Sequence, residues 1–295
     1  MNFQFEVNDE TQISLQDFLN ARDFSRRLLN RIKYDIRVNG EVRFLKEPIE
    51  AGDVINVYVP GEEKHPYIVP SVQPLDVLYE DEHLIAINKS AQLLSTVSWD
   101  EPDTSVANRL LNYYLQEDSE NKRIHLVSRL DRNTSGVLLV AKHQLAHAKM
   151  DKLLQAGEVY KEYFAVSPSS ENILSDHGTI DVPIGRSEHS IIERMVREDG
   201  KPSLTEYWRL AKYPEGDTFK IKLHTGRTHQ IRVHFAHMNL PLLGDDLYGG
   251  IDSGPIQRQA LHCRLVAFTH PITHKKLKIE APLAEDLNQW LNQQK

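Results

Sequence analysis

The chain has 295 residues, of which 40% are hydrophobic and 26% charged, with a net charge of −7 and a single cysteine, Cys263. Such a composition excludes disordered, collagen-like and mucin-like architectures, and one thiol excludes an internal disulfide and any multi-thiolate metal centre. The start, MNFQFEVNDE, has no basic-then-apolar leader, and no apolar run approaches the ~18–20 residues of a bilayer span; a cytoplasmic protein without a membrane partner is expected.

In chain order, a first compact unit is predicted from Gln12 to Pro60. Apolar residues at Leu15, Phe18 and Leu19, and again at Leu28, Leu29 and Ile32, suit two short helices. Asn39-Gly40 between IRV and EVRF signals a two-residue hairpin, because both positions tolerate positive φ. Ala51-Gly52-Asp53 then turns into the strand VINVYV. Residues 61–74 carry Pro66, Pro70 and Pro74 and neither periodicity, and read as an extended linker. From residue 75 to 290 the pattern is strand-rich (LIAINK, GVLLVAK, KEYFAV, TEYWRLAKY, TFKIKL, LVAFTHP), interrupted by helical stretches such as SVANRLLNYYLQ and QLAHAKMDKLLQ. Strands outnumber helices without alternating regularly with them, which predicts an α+β fold. Neither GxGxxG nor GxxxxGK[ST] occurs, so no nucleotide cofactor is expected.

The average charge hides an asymmetry. Residues 60–120 hold 12 acidic and 3 basic side chains, whereas residues 220–280 hold 9 basic and 4 acidic. A positive face is therefore possible despite the net charge, and charge alone neither establishes nor excludes an RNA partner.

Three stretches carry candidate chemistry. In HLVSRLDRNTSGVLLVAKH, Asp131 lies in a turn-prone run directly before an apolar strand. A carboxylate there is either a ligand-facing group on a rigid support or a turn residue bonded to its own backbone. LHTGRTHQIRVHFAHMNLPLLGDDLYGG combines Arg227, Arg232 and four histidines. The arginines could grip phosphates or pair with a buried carboxylate. His224, His229, His234 and His237 match no metal-ligand spacing, so no metal is expected and they read as hydrogen-bonding scaffold, like His143 and His147. Tyr163 in KEYFAV is a half-buried strand residue or a platform on which a base could stack.

Together these stretches resemble the RluA-type pseudouridine synthases. HLVSRLDRNTSG is similar to that family's HRLDxxTSG motif, TGRTHQIRVHFAHMNLPLLGDDLYGG to a later one, LHCRLVAFTHP to its closing LHAxxLxFxHP, and YEDEHLIAINKSAQLL to its opening strand motif. The resemblance runs in order from about Pro70 to Pro282. The N-terminal unit resembles the S4 RNA-binding module at Ser25-Arg26, Val38-Asn39-Gly40 and Gly52-Asp53-x-Ile55. Three positions depart from the family pattern: Ser128 replaces a His, Ser90 a Pro and Gln92 a Gly.

The resemblance implies a mixed, largely antiparallel sheet with flanking helices and an S4-like module, and an isomerase that converts uridine in RNA to pseudouridine without cofactor or metal. RNA is the implied partner, ribosomal large-subunit RNA first and tRNA second, acted on by a monomer. Asp131 matches the essential aspartate, Tyr163 the tyrosine that stacks on uracil, and Arg232 is the candidate partner that keeps Asp131 charged. Arg129 matches the residue that fills the gap left by a flipped base. Arg227, Lys89 and Lys161 are implied phosphate contacts, and Arg26 and Arg27 RNA contacts of the S4-like unit.

Overall fold

The computed structural model describes all residues except 9–12, 99–100, 102–103, 170–173 and 295. Gln12, the expected start of the first unit, lies outside the described residues. The main body is α+β, built on a ten-stranded sheet. Its path runs His177–Asp181, Leu204–Tyr213, Gly216–Leu223, Tyr160–Ser167, Leu261–Thr269, Ser135–Ala141, Leu84–Lys89 and Val77–Glu80. Lys276–Glu280 adds to Leu261–Thr269, and His125–Leu126 to Ser135–Ala141. Pairing is antiparallel except between Ser135–Ala141 and Leu261–Thr269, which run parallel through Ser135↔His262 and Gly136↔Cys263.

That parallel contact depends on glycine. Gly136 has φ +109, and a β-carbon there would stand 2.1 Å from the carbonyl oxygen of Cys263. The strand is buried at all seven positions, Ser135 to Ala141, as a strand covered on both faces should be. Helix Val106–Gln116, with a capping box at Ser105 and Asn108, contributes Val106, Leu110 and Tyr114 to the same core. Helix Gln144–Gln155 begins at His143, whose Nδ1 accepts the Ala146 amide at 3.3 Å.

The N-terminal residues form a four-stranded sheet in the order Asn2–Glu6, Val54–Tyr58, Ile36–Val38, Glu41–Val42. Helices Leu15–Asn20 and Arg26–Ile32 pack on it, capped by Ser14 and Ser25. Asn39 and Gly40 have φ 51° and 87°, the hairpin geometry their sequence predicts. Leu15, Leu19, Leu29, Ile32, Ile36 and Ile55 fill a core of their own. Strand Asn2–Glu6 precedes the expected unit; its Phe3 and Phe5 alternate with exposed Asn2, Gln4 and Glu6.

Residues 61–74 form no helix or strand, yet they are fastened to their surroundings. Glu62 bonds Arg31 at 3.0 Å and His125 at 2.7 Å, and the Asn108 amide donates to the Val69 carbonyl at 2.7 Å. Phe3 packs beside His83 and His143, Leu145 joins the N-terminal core, and Asp23 pairs with Lys149 and Lys152. No helix among the described residues is long and apolar enough to cross a membrane.

Candidate active site

Asp131 sits where a partly exposed turn meets the central strand. On one side Leu130 is pinned by Ser95, whose hydroxyl donates to the Leu130 carbonyl at 2.9 Å. On the other, the turn is closed by the Thr134 amide donating to the Asp131 carbonyl at 3.0 Å. From behind, Arg258 donates to the Asn133 carbonyl at 2.8 Å and the Ser135 hydroxyl at 3.1 Å, while Asp286 grips its guanidinium at 2.7 and 3.0 Å. These contacts tie up the turn's backbone and leave the Asp131 carboxylate, 26% exposed, facing a pocket.

Lys89 belongs to the same support, which corrects its expected role at a phosphate. It is fully buried, and its ammonium donates to the carbonyls of Ser90, Leu93 and Arg132 at 3.0, 2.7 and 2.8 Å. All three donors are used, so none is left for RNA. Burial, then the nearby Arg258 charge, pushes its pKa down to about 7. Gln92, standing where the family pattern has glycine, takes the left-handed φ of 64° that glycine adopts freely.

The pocket is lined by Asp131, Tyr163, Arg227, His229 and Arg232, with Arg129 at its mouth. It opens into a wider cleft bordered by Lys161, Lys222 and His224. Tyr163 is buried on strand Tyr160–Ser167. Burial, reinforced by Cys263, raises its phenol well above the ordinary value, so it stays neutral. Lys161 lies beside it, and burial holds its ammonium below the usual value. Arg129 and Arg227 are exposed; the Arg227 Nε donates to the Pro202 carbonyl at 3.1 Å. Arg26 and Arg27 are exposed on the helix Arg26–Ile32 and do not line the pocket.

Arg232 does approach Asp131, but not as its chief partner. Its Nε and Nη2 donate to the two oxygens of Asp245 at 2.8 and 2.7 Å, and only Nη1 points to Asp131, at 3.4 Å. Burial disfavours the guanidinium charge, yet Asp245 and Asp131 outweigh it and hold the pKa above normal. Asp245 is fully buried. The planar fork of Arg232 is thus fixed by one carboxylate and presents its remaining nitrogen to the other.

His229 precedes helix Gln230–His237 with φ 59° and no side-chain cap bond. Its Nδ1 is 2.9 Å from the Tyr248 hydroxyl and its Nε2 3.8 Å from Asp131. The other histidines of the motif diverge: His224 meets Glu206 at 2.8 Å and His234 the Val182 carbonyl at 3.1 Å. Among the described residues, no three His, Cys, Asp or Glu side chains are arranged to hold a metal ion.

This geometry joins candidate residues from all three stretches, Asp131, Tyr163 and Arg232, in one pocket. Asp245, Tyr248 and Arg258 escape the sequence reading; the first two lie in the Gly-Asp-Asp-Leu-Tyr-Gly turn, where no spacing distinguishes Asp245 from Asp246.

Residues 83–237 match the profile of the RNA pseudouridylate synthase family. A Bacillus subtilis protein named uncharacterized RNA pseudouridine synthase YjbO is 38% identical over 282 residues, covering 95% of this chain and 98% of the relative. Ribosomal large subunit pseudouridine synthase D of Xanthomonas campestris is 34% identical over 285 residues, covering 92% and 85%. The structure of human RNA Pseudouridylate Synthase Domain Containing 1 shares the fold, with a TM-score of 0.59 and 23% identity over 75% of this chain and 95% of that one. The chain therefore belongs to the RNA pseudouridylate synthase family and is an RNA pseudouridine synthase, an isomerase.

Proposed function

We propose that the chain isomerises uridine in large-subunit ribosomal RNA, with Asp131 acting on the ribose of an everted nucleotide. The supporting observation is the convergence of Asp131, Tyr163 and Arg232 on one pocket. In the reaction the C1′–N1 bond breaks, the base turns while held, and C5 bonds to C1′. The C5 proton leaves and N1 gains one, so atoms balance without any cofactor. Asp131 stabilises positive charge at the sugar, attacks C1′, or removes the C2′ proton; each role needs a carboxylate. Tyr163 offers its ring to the uracil, and Arg129 fills the gap in the RNA, offsetting an eversion cost of about a few kcal/mol. Arg227 and Lys161 meet phosphates. Because the base must be recaptured, excluding water matters more than activating it.

The ribosomal target follows the name of the 34%-identical relatives. The direct test offers the purified protein large-subunit ribosomal RNA and tRNA, then maps pseudouridine in both. New pseudouridine in the ribosomal RNA is expected, and modification of tRNA alone overturns the target. The enzyme works as a monomer, and a ribosomal substrate supports a cytoplasmic location.

The N-terminal residues through Pro60 act as an S4-like RNA-binding unit, residues 61–74 as its connection and residues 75–290 as the catalytic unit. Exposed Arg26 and Arg27 support that reading, whereas Arg22 donates to the Phe18 carbonyl and Arg31 to Glu62. Replacing Arg26 and Arg27 with alanine should lower the slope of log affinity against log salt by about 1–2. A slope unchanged in filter binding would make this helix a merely solvated face.

A further inference from the structure

We propose that His229 is a further catalytic residue, a neutral Nε2–H donor to a carbonyl oxygen of the uracil as the C1′–N1 bond breaks. This rests on the reading of Asp131 given above. Local structure does not explain the residue. At a helix N-cap, Ser, Thr, Asp or Asn would satisfy a free amide, and a left-handed backbone, sparse for any residue with a β-carbon, admits Asn and Asp as readily as His. His229 makes no capping bond and still adopts φ 59°. Strain of that kind is retained where the surroundings require the side chain.

The surroundings fix the ring. The Tyr248 hydroxyl accepts the Arg194 amide at 2.9 Å, which leaves its own proton for the Nδ1 of His229, 2.9 Å away. Nδ1 is then an acceptor, and the ring proton sits on Nε2, which faces Asp131 at 3.8 Å and lines the pocket. The charged groups around the ring are Asp131, Asp245, Arg232 and Arg194; burial leads, and together with the two arginines it outweighs the carboxylates and keeps the imidazole neutral. A second cation beside Arg232 is avoided and a donor is kept.

The chemistry has a place for that donor. When C1′–N1 breaks, the bonding pair stays on the base and spreads from N1 onto its carbonyl oxygens. A fixed N–H aimed at one of them stabilises the charge as it develops. The imidazole keeps its proton throughout, so the proton balance of the isomerisation is unchanged.

His229→Asn suits the left-handed backbone and can still accept from Tyr248 through its Oδ1, but it lacks the far donor. Its single-turnover rate on uridine RNA should fall about 10²-fold, with RNA affinity unchanged. On RNA carrying 5-fluorouridine at the target, glycosidic cleavage should be impaired much less, because the more acidic base departs with less help. His229→Gln, whose amide reaches toward the Nε2 position, should recover part of the loss. Equal impairment on both substrates, or none, overturns the proposal. Asp131 is intact in both variants, so either result leaves its role to be judged by its own substitution.

Discussion

Asp131→Asn should bind RNA as tightly as the parent and form pseudouridine about 10⁴-fold more slowly. The substitution preserves shape and removes charge. The turn does not depend on the carboxylate: its closing bond uses the Asp131 backbone carbonyl, and its other supports run from Ser95, Lys89 and Arg258 to backbone groups. Arg232 keeps Asp245, so no buried cation is orphaned. The fold should therefore survive, while an amide can neither hold charge opposite an electron-poor sugar nor remove the C2′ proton. Filter binding and single-turnover conversion on the same RNA separate the two effects. Conversion at the parent rate would contradict the assignment.

The second large effect is expected at Asp245, away from the reacting atoms. Asp245→Asn removes the negative half of a fully buried ion pair. Breaking such a pair costs about 3–5 kcal/mol, to be read in denaturant unfolding. Arg232, no longer forked onto Asp245, is free to turn its charge fully onto Asp131 and draw that carboxylate off the ribose. A misplacement of about 1 Å costs about 10²-fold in rate. Asp246→Asn, one residue on and exposed, is the control and should change neither quantity. If Asp245→Asn is as stable and as fast as the parent, Arg232 is not positioned by Asp245.

Much of this site is legible in sequence because its residues lie in continuous motifs. Asp131 stands four residues before the start of an apolar strand and Tyr163 lies within another, so both supports can be read from local pattern. Asp245 is different. It and Asp246 are adjacent in one turn, and which one faces inward is settled by tertiary closure: Gly244 has φ +68, and a β-carbon on Gly250 would stand 1.9 Å from the Leu242 carbonyl. Lys89 misleads for a related reason. A lysine near a functional loop is usually solvated, and its burial becomes visible only once strand Leu84–Lys89 has paired with Ser135–Ala141 and brought the Arg132 carbonyl within reach. Strand Asn2–Glu6 escapes because its five alternating residues form a strand through pairing with Val54–Tyr58, distant in sequence.

The decisive measurement is the structure of the Asp131→Asn protein bound to its target RNA. The everted uridine should lie in the pocket with its base against Tyr163, its ribose C1′ or C2′ within about 3.5 Å of the residue 131 side chain, and Arg232 still forked onto Asp245. A ribose turned away from residue 131, or a target base left stacked in the RNA, would contradict the central role of that carboxylate.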